Sequence, residues 1–236
     1  MTEDLNEKVD QEINEDFNEE FNEEFWDKRY NSRAATNGTD QHHEHIWSGK
    51  PNLHLLDQVA NLEPARALDA GCGEGADAIW LAERGWRVTA VDVSSVALKR
   101  AAASAQKLGA EVSSRIEWAH EDLTTWDPGI GRFDLVSTQY FHLPSIPRRA
   151  VFARLADAVA PRGSLLIVAH HPMDLETTMH RSAQLDWFFT GDDIADTLDP
   201  KEWTVVTNAA SSRTATDSHG ESATIHDTVF RAQRRG

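Results

Sequence analysis

The residues whose types and spacing could do chemistry lie between Asp69 and His171. The run Leu68-Asp69-Ala70-Gly71-Cys72-Gly73-Glu74-Gly75 sets three glycines at alternate positions. That spacing lets a backbone turn tightly and approach a ligand with no Cβ in the way. Asp92 stands 21 residues after Gly71, where a carboxylate can accept both hydroxyls of a ribose. Glu121-Asp122-Leu123 supplies a further carboxylate, able to accept from an exocyclic amino group. His142, His170 and His171 are candidate proton acceptors, because imidazole is the side chain that titrates near neutral pH. His171 is the first of them to test, since His171-Pro172 fixes a turn. His42-His43-Glu44-His45 has chelating spacing but sits in a polar stretch and reads as a solvated loop, so no metal site is assigned. Cys72 reads as a small residue suited to the turn.

The elements that must position these groups alternate. Ala65–Ala70 reads as a short buried strand that runs into the glycine loop and a helix over 76–84. Arg87–Val93 is a second strand, and Ser94 or Ser95 can cap a helix over 96–108 that ends at Gly109. Val112–Ala119 reads as a third strand, Phe133–Ser137 as a fourth, 147–160 as a helix and Ser164–Ala169 as a fifth strand. Strands alternating with helices imply βαβ units and a parallel sheet. Trp203–Ala209 and Thr224–Ala232 read as two strands with no strong helix between them, hence an antiparallel pair at one edge. The expected fold is α/β: a Rossmann-like doubly wound seven-stranded sheet, mostly parallel with an antiparallel C-terminal edge pair. Upstream, a short helix is expected around 22–33, a polar loop from Asn37 to Glu44, and a helix opened by Pro51. Residues 1–20 read as an acidic, disordered or loosely helical tail, 21–62 as a helical segment and 63–236 as the main domain.

Composition narrows the function classes. The 236 residues carry a formal net charge of −16. Residues 1–24 hold eleven acids and one base, which leaves −6 for the rest of the chain. A surface of this sign repels phosphate backbones and anionic membranes, so general nucleic-acid or membrane binding is not expected. A single Cys excludes an internal disulfide and a multi-Cys zinc site. With no secretory signal and no membrane-spanning run, a cytoplasmic monomer or homodimer is expected.

Two ligands suit the glycine loop. Gly71, Gly73 and Ala76 satisfy the G-x-G-x-x-G/A pattern of a dinucleotide site. S-adenosylmethionine fits better. Asp69 would repel a pyrophosphate but attract a ligand ammonium, Asp122 follows the third strand, and neither Tyr30 nor Tyr140 starts a Tyr-x-x-x-Lys pair. With LDAGCGEG, AVDVS and HEDLTTW in order, the chain resembles the class I S-adenosylmethionine-dependent methyltransferases. FWDKRY, HIWSGKPN and GEGADAIWLAERGWRVTAVDVS are similar to bacterial small-molecule methyltransferases near the tellurite-resistance and thiopurine methyltransferase types. The resemblance implies that Trp26, Tyr30 and Trp47 cover the cofactor as a lid, and that Gly71, Gly73 and Gly75 contact its methionine part. It implies that Asp92 holds the ribose, that Val93, Asp122 and Leu123 flank the adenine, and that Gln139 lies near the methionine part and the acceptor. Thr138-Gln139-Tyr140-Phe141-His142 departs from the Asn/Asp-Pro-Pro-Tyr/Phe run of enzymes that methylate nucleobase or glutamine nitrogens. The expected activity is in-line methyl transfer to a small-molecule acceptor, with Trp187-Phe188-Phe189 as a candidate wall of the acceptor pocket. A nicotinamide-dependent oxidoreductase and a non-catalytic cofactor-binding protein are the alternatives.

Overall fold

In the computed structural model, residues 22–36, 49–141, 143–176, 185–216 and 222–236 are described. Their strands are β1 (Arg66–Ala70), β2 (Arg87–Asp92), β3 (Ile116–His120), β4 (Phe133–Gln139), β5 (Val159–His170), β6 (Trp203–Thr216) and β7 (Ser222–Arg234). They form one sheet in the order β3-β2-β1-β4-β5-β7-β6. Strands β1 to β5 run parallel, and β7 pairs antiparallel with both β5 and β6. The expected α/β architecture, antiparallel edge pair included, is the one observed.

The helices are α1 (Glu23–Thr36), α2 (Leu53–Val59), α3 (Ala76–Glu83), α4 (Ser95–Lys107), α5 (Ala110–Ser113), α6 (Ser145–Asp157) and α7 (Gly191–Ala195). Strands buried on both faces lose the polar alternation of a half-solvated sheet, which is why SLLIVA is apolar throughout. Leu165 and Ile167 join one core layer with Val151, Phe152 and Leu155 of α6. Leu166 and Val168 join the other with Leu55 of α2 and Trp80 and Leu81 of α3. Helix α4 starts where Ser94 Oγ accepts the Ala97 N–H at 3.1 Å, and it buries Ala97, Leu98, Ala101 and Ala105 along one face.

Three boundaries differ from the sequence reading. Strand β3 begins at Ile116 because Gly109 (φ +102°) turns the chain into α5, leaving Ile116 to pair with Val88. Strand β5 begins at Val159, and Pro161-Arg162-Gly163 is an irregularity inside it, with Arg162 at φ +67°. The C-terminal hairpin is longer than expected. Its outer residues, Ser211–Thr216 and Ser222–His226, pair with each other beyond the point where His170 of β5 meets Asp227 of β7.

Because β2 and β4 flank β1 on opposite sides, the direction of winding reverses between β1 and β4. Ligands of open α/β sheets bind outside the C-terminal strand ends at such a point. The glycine loop follows β1, and Gln139 ends β4. Among the described residues no helix is long and apolar enough to cross a membrane.

Candidate active site

The glycine loop is held by backbone bonds that leave its side-chain positions small. The Gly71 and Cys72 N–H groups both donate to the Val91 carbonyl, at 2.8 and 2.9 Å. Gly71, Gly73 and Gly75 all have positive φ, a conformation glycine adopts at little steric cost. At Gly75 the reason is doubled, since a Cβ would stand 2.6 Å from the Trp118 ring and 2.8 Å from the Ala101 methyl. This contact gives Trp118 a role under the loop.

Asp92 closes the loop from β2. Its Oδ2 accepts the Gly73 N–H and its Oδ1 the Ser94 N–H, each at 2.8 Å. Each carboxylate oxygen retains a further lone pair, so the group can still accept ribose hydroxyls. Asp69 is buried, with Oδ2 lacking a hydrogen-bond partner. Asp77, which sequence reasoning missed, accepts the Asn52 N–H at 2.6 Å. All three carboxyls titrate above their ordinary range. Burial is the main cause for each; Asp69 also feels the charges of Asp77 and Asp92, and Asp77 is pushed up to about 6. Burial, with the Asp92 and Asp69 charges, pushes the Cys72 thiol up as well, so it is a thiol and not a nucleophile. Two buried acids and a half-buried third, with no lysine or arginine beside them among the described residues, disfavour an anion and favour a cation. The ammonium and sulfonium of S-adenosylmethionine fit that demand, and a dinucleotide pyrophosphate does not.

The remaining cofactor candidates fall on the same rim. The Val93 carbonyl accepts from His120 Nε2 at 2.9 Å, and Glu23 Oε1 of α1 lies 3.0 Å from the same nitrogen. Two acceptors at one nitrogen put the imidazole hydrogen there. Asp122 Oδ1 accepts the backbone N–H and hydroxyl of Thr124, at 2.8 and 2.7 Å. The Leu123 side chain belongs to the core, so its backbone is what it can offer a ligand. Gln139 Nε2 donates to Ser137 Oγ at 2.7 Å, while its buried Oε1 has no hydrogen-bond partner.

Helix α1 docks beside this rim. Asp27 accepts from Ser94 Oγ at 2.5 Å, Ser95 Oγ at 3.2 Å and the Val96 N–H at 3.2 Å, and so adds a second cap to α4. These bonds hold its carboxyl below its usual range even though burial, the largest single effect, pushes it up. Tyr30 is buried against Ala97, with Trp26 and Val96 packed beside it. Arg100 ties α1 to the loop by donating to the Tyr30 carbonyl at 2.9 Å and to Glu74 Oε1 at 3.1 Å. Trp47, His142, the acidic tail over 1–20 and the His42–His45 cluster lie outside the described residues.

The two remaining histidines part company. His171 Nδ1 accepts the Met173 N–H at 3.2 Å, its own N–H donates to the His226 carbonyl, and burial with the nearby His226 lowers its pKa. His170 instead faces Tyr140, with ring centroids 4.8 Å apart. Trp187, Phe188 and Phe189, expected as a wall of the acceptor pocket, are all core residues, and the Phe188 ring approaches His170 at 5.8 Å.

Comparison with known proteins agrees with this geometry. Residues 67–163 match the family model described as a methyltransferase domain. An uncharacterised methyltransferase of Mycobacterium bovis is 36% identical over 121 residues, which span 50% of this chain and 58% of the relative. A 2-heptyl-1-hydroxyquinolin-4(1H)-one methyltransferase of Mycobacteroides abscessus is 29% identical over 138 residues, or 55% of this chain and 60% of that protein. The crystal structure of TehB from Haemophilus influenzae matches with a TM-score of 0.62 at 16% identity, covering 91% of this chain and 67% of that one. The chain thus spans somewhat over half the length of these curated relatives. Residues 67–163 are similar to a methyltransferase domain, and the fold is shared with a solved S-adenosylmethionine-dependent methyltransferase of Mesorhizobium loti, at a TM-score of 0.57 and 18% identity over 76% of this chain and 95% of that one.

Proposed function

We propose that this chain binds S-adenosylmethionine at the β1–β4 switch point and transfers its methyl group to a small-molecule acceptor. The carrying observation is the set of buried Asp69 and Asp92 and half-buried Asp77 around a glycine loop, raised in pKa and unpaired with any lysine or arginine among the described residues. Asp69 receives the cofactor ammonium, Asp92 the ribose hydroxyls, and Gly71, Gly73 and Gly75 its methionine part. Val93, Asp122 and the Leu123 backbone border the adenine, and Gln139 lies between the methionine part and the acceptor. Segment 21–62, with Trp26, Tyr30 and Trp47, forms the cover, which Asp27 and Arg100 anchor to α4 and the loop. The cofactor supplies an already activated methyl group, so the protein mainly aligns the reactants in line and excludes water. A protic acceptor passes its proton to a histidine at the rim, and His170 suits this better than His171, whose Nδ1 is engaged by its own turn. The acidic surface favours a small acceptor over a nucleic acid, in keeping with the hydroxyquinolinone named for the mycobacterial relative.

The test supplies S-adenosylmethionine with a labelled methyl group together with a metabolite extract, total RNA or total protein. Label should enter the small-molecule fraction with matching S-adenosylhomocysteine. Asp92→Ala should lower cofactor affinity at least about a hundredfold, because it removes the group that both binds ribose and ties down Gly73 and Ser94. Label in RNA or protein would overturn the acceptor assignment. Full cofactor affinity in Asp92→Ala would overturn the site.

A further inference from the structure

Next to the proposed methyl-transfer site lies a second polar centre that the cofactor does not need. Asp227 of β7 is fully buried and pairs in register with His170, the last residue of β5. Its Oδ2 accepts from Arg213 Nε of β6 at 2.6 Å and lies 3.1 Å from His54 Nε2 of α2. The Tyr140 hydroxyl hydrogen-bonds to the same carboxylate and to Arg213. His170 Nδ1 lies 4.0 Å from Oδ1. One carboxylate therefore gathers side chains from α2, β5, β6 and the residue after β4.

Above this centre the rings form a series. Tyr140 and His170 are tilted by 33° at 4.8 Å, and His170 and Phe188 by 36° at 5.8 Å. Tyr140 has φ +51°, a strained conformation for a residue with a bulky side chain, and such strain persists only where the surroundings enforce it. Its N–H donates to the Val168 carbonyl at 2.8 Å, and its hydroxyl is held by the centre below. The next residue, Phe141, comes within 3.2 Å of where a Gly71 Cβ would stand, so the ring series borders the glycine loop. Four exposed apolar residues stand near these rings' elements in sequence: Ile146 in the first turn of α6 after β4, Met173 and Leu175 after β5, and Leu53 before His54.

We propose that Tyr140 and His170 are the wall of an acceptor subsite for a planar aromatic molecule bearing a hydroxyl or thiol, and that Asp227 is the positioning residue that sets the wall's angle. This rests on the methyltransferase reading above and adds the acceptor class. Tyr140 and His170 are half-buried, and flat rings partly open to solvent bind another flat ring by stacking and burial. The Arg213 charge balances Asp227, so a neutral aromatic can enter without facing a bare ion. An aliphatic acceptor would bury less area on the rings and gain no ring stacking.

The test is calorimetric titration of the full-length protein, saturated with S-adenosylhomocysteine, with 2-naphthol and 2-naphthalenethiol against cyclohexanol and butane-1-thiol. The aromatic probes should bind at least about tenfold tighter than the aliphatic ones. Tyr140→Leu should remove that preference, Tyr140→Phe should reduce it a few-fold by freeing the ring from Asp227, and Asp227→Asn should reduce it about tenfold. Affinity for S-adenosylhomocysteine should stay within about twofold throughout. Where Asp227→Asn fails to fold, by circular dichroism, the graded pair at Tyr140 carries the positioning claim. Equal binding of aromatic and aliphatic probes, or a Tyr140→Leu protein that keeps the preference, would overturn the proposal. Failure of S-adenosylhomocysteine to bind the wild type would instead remove the methyltransferase reading, and the preference of the protein alone would still test the wall.

Discussion

The cofactor side and the acceptor side of the sheet each bury carboxylates, and they do so in opposite ways. Around the glycine loop, Asp92 is met by backbone N–H groups, Asp69 keeps an oxygen without a partner, and all three acids are pushed up in pKa by burial. At Asp227 burial also pushes upward, but hydrogen bonds from His54 and Arg213, the Arg213 charge and the Tyr140 hydroxyl hold the carboxyl down to about 2. The first arrangement leaves negative potential for a ligand to satisfy. The second is charge-balanced by Arg213 within the protein and fixes the shape of a surface. Recognition of a charged cofactor and of an uncharged acceptor call for these two solutions respectively.

The sharpest way to break the cofactor side is steric. Gly75→Ala places a Cβ against Trp118 and Ala101 at a residue with φ +79°. It should cost about 3 kcal/mol in denaturant unfolding and abolish cofactor binding. A smaller effect separates the two sides by pH. Asp227 has a depressed folded pKa, so its contribution of about 2 kcal/mol is present above an unfolded pKa of 3.8 and is lost as pH falls towards 2. Asp77 has a raised folded pKa, so the ligand-free protein gains stability as pH falls from about 6 towards 3.8. Unfolding curves against pH should therefore lose the acid limb in Asp227→Asn and the near-neutral limb in Asp77→Asn. Identical curves for both variants and the wild type would erase the distinction.

The same contrast explains what could be read from the sequence. The glycine loop is legible because its requirements are local: three residues without Cβ, a strand before and a helix after, and Asp92 one βα unit downstream. The parallel sheet with its antiparallel edge pair follows from the alternation of elements for a related reason. Asp227 gives no such signal. Its partners His54 and Arg213 stand 173 and 14 residues away, and only the antiparallel edge pair brings them together. Asp77 was missed because an acid in the first turn of a helix reads as ordinary dipole complementarity, and Asp27 because it sits in an acid-rich run. Asp77 caps α2 from another element, and Asp27 caps α4. The choice between His170 and His171 turned on strand register, which adjacent identical residues cannot disclose. Early onset of β5 followed from the irregularity at Pro161-Arg162-Gly163, in residues that read as a helix end and a connection, and α5 from a positive-φ glycine just before a run that looks strand-like.

The central claim is that the unpaired acids at the glycine loop await a cationic cofactor. It is tested most directly by titrating the ligand-free protein with S-adenosylhomocysteine, whose ammonium group is its cation, and with NADH, at pH 5.5 and pH 7.5, in buffers of different ionisation enthalpy. Burial and the charges of Asp77 and Asp92 raise the pKa of Asp69, so it must give up its proton to receive the ammonium. S-adenosylhomocysteine should therefore bind more tightly at the higher pH and release protons at the lower one, with NADH silent. Binding of NADH alone, or tighter binding of S-adenosylhomocysteine at pH 5.5, would contradict the account.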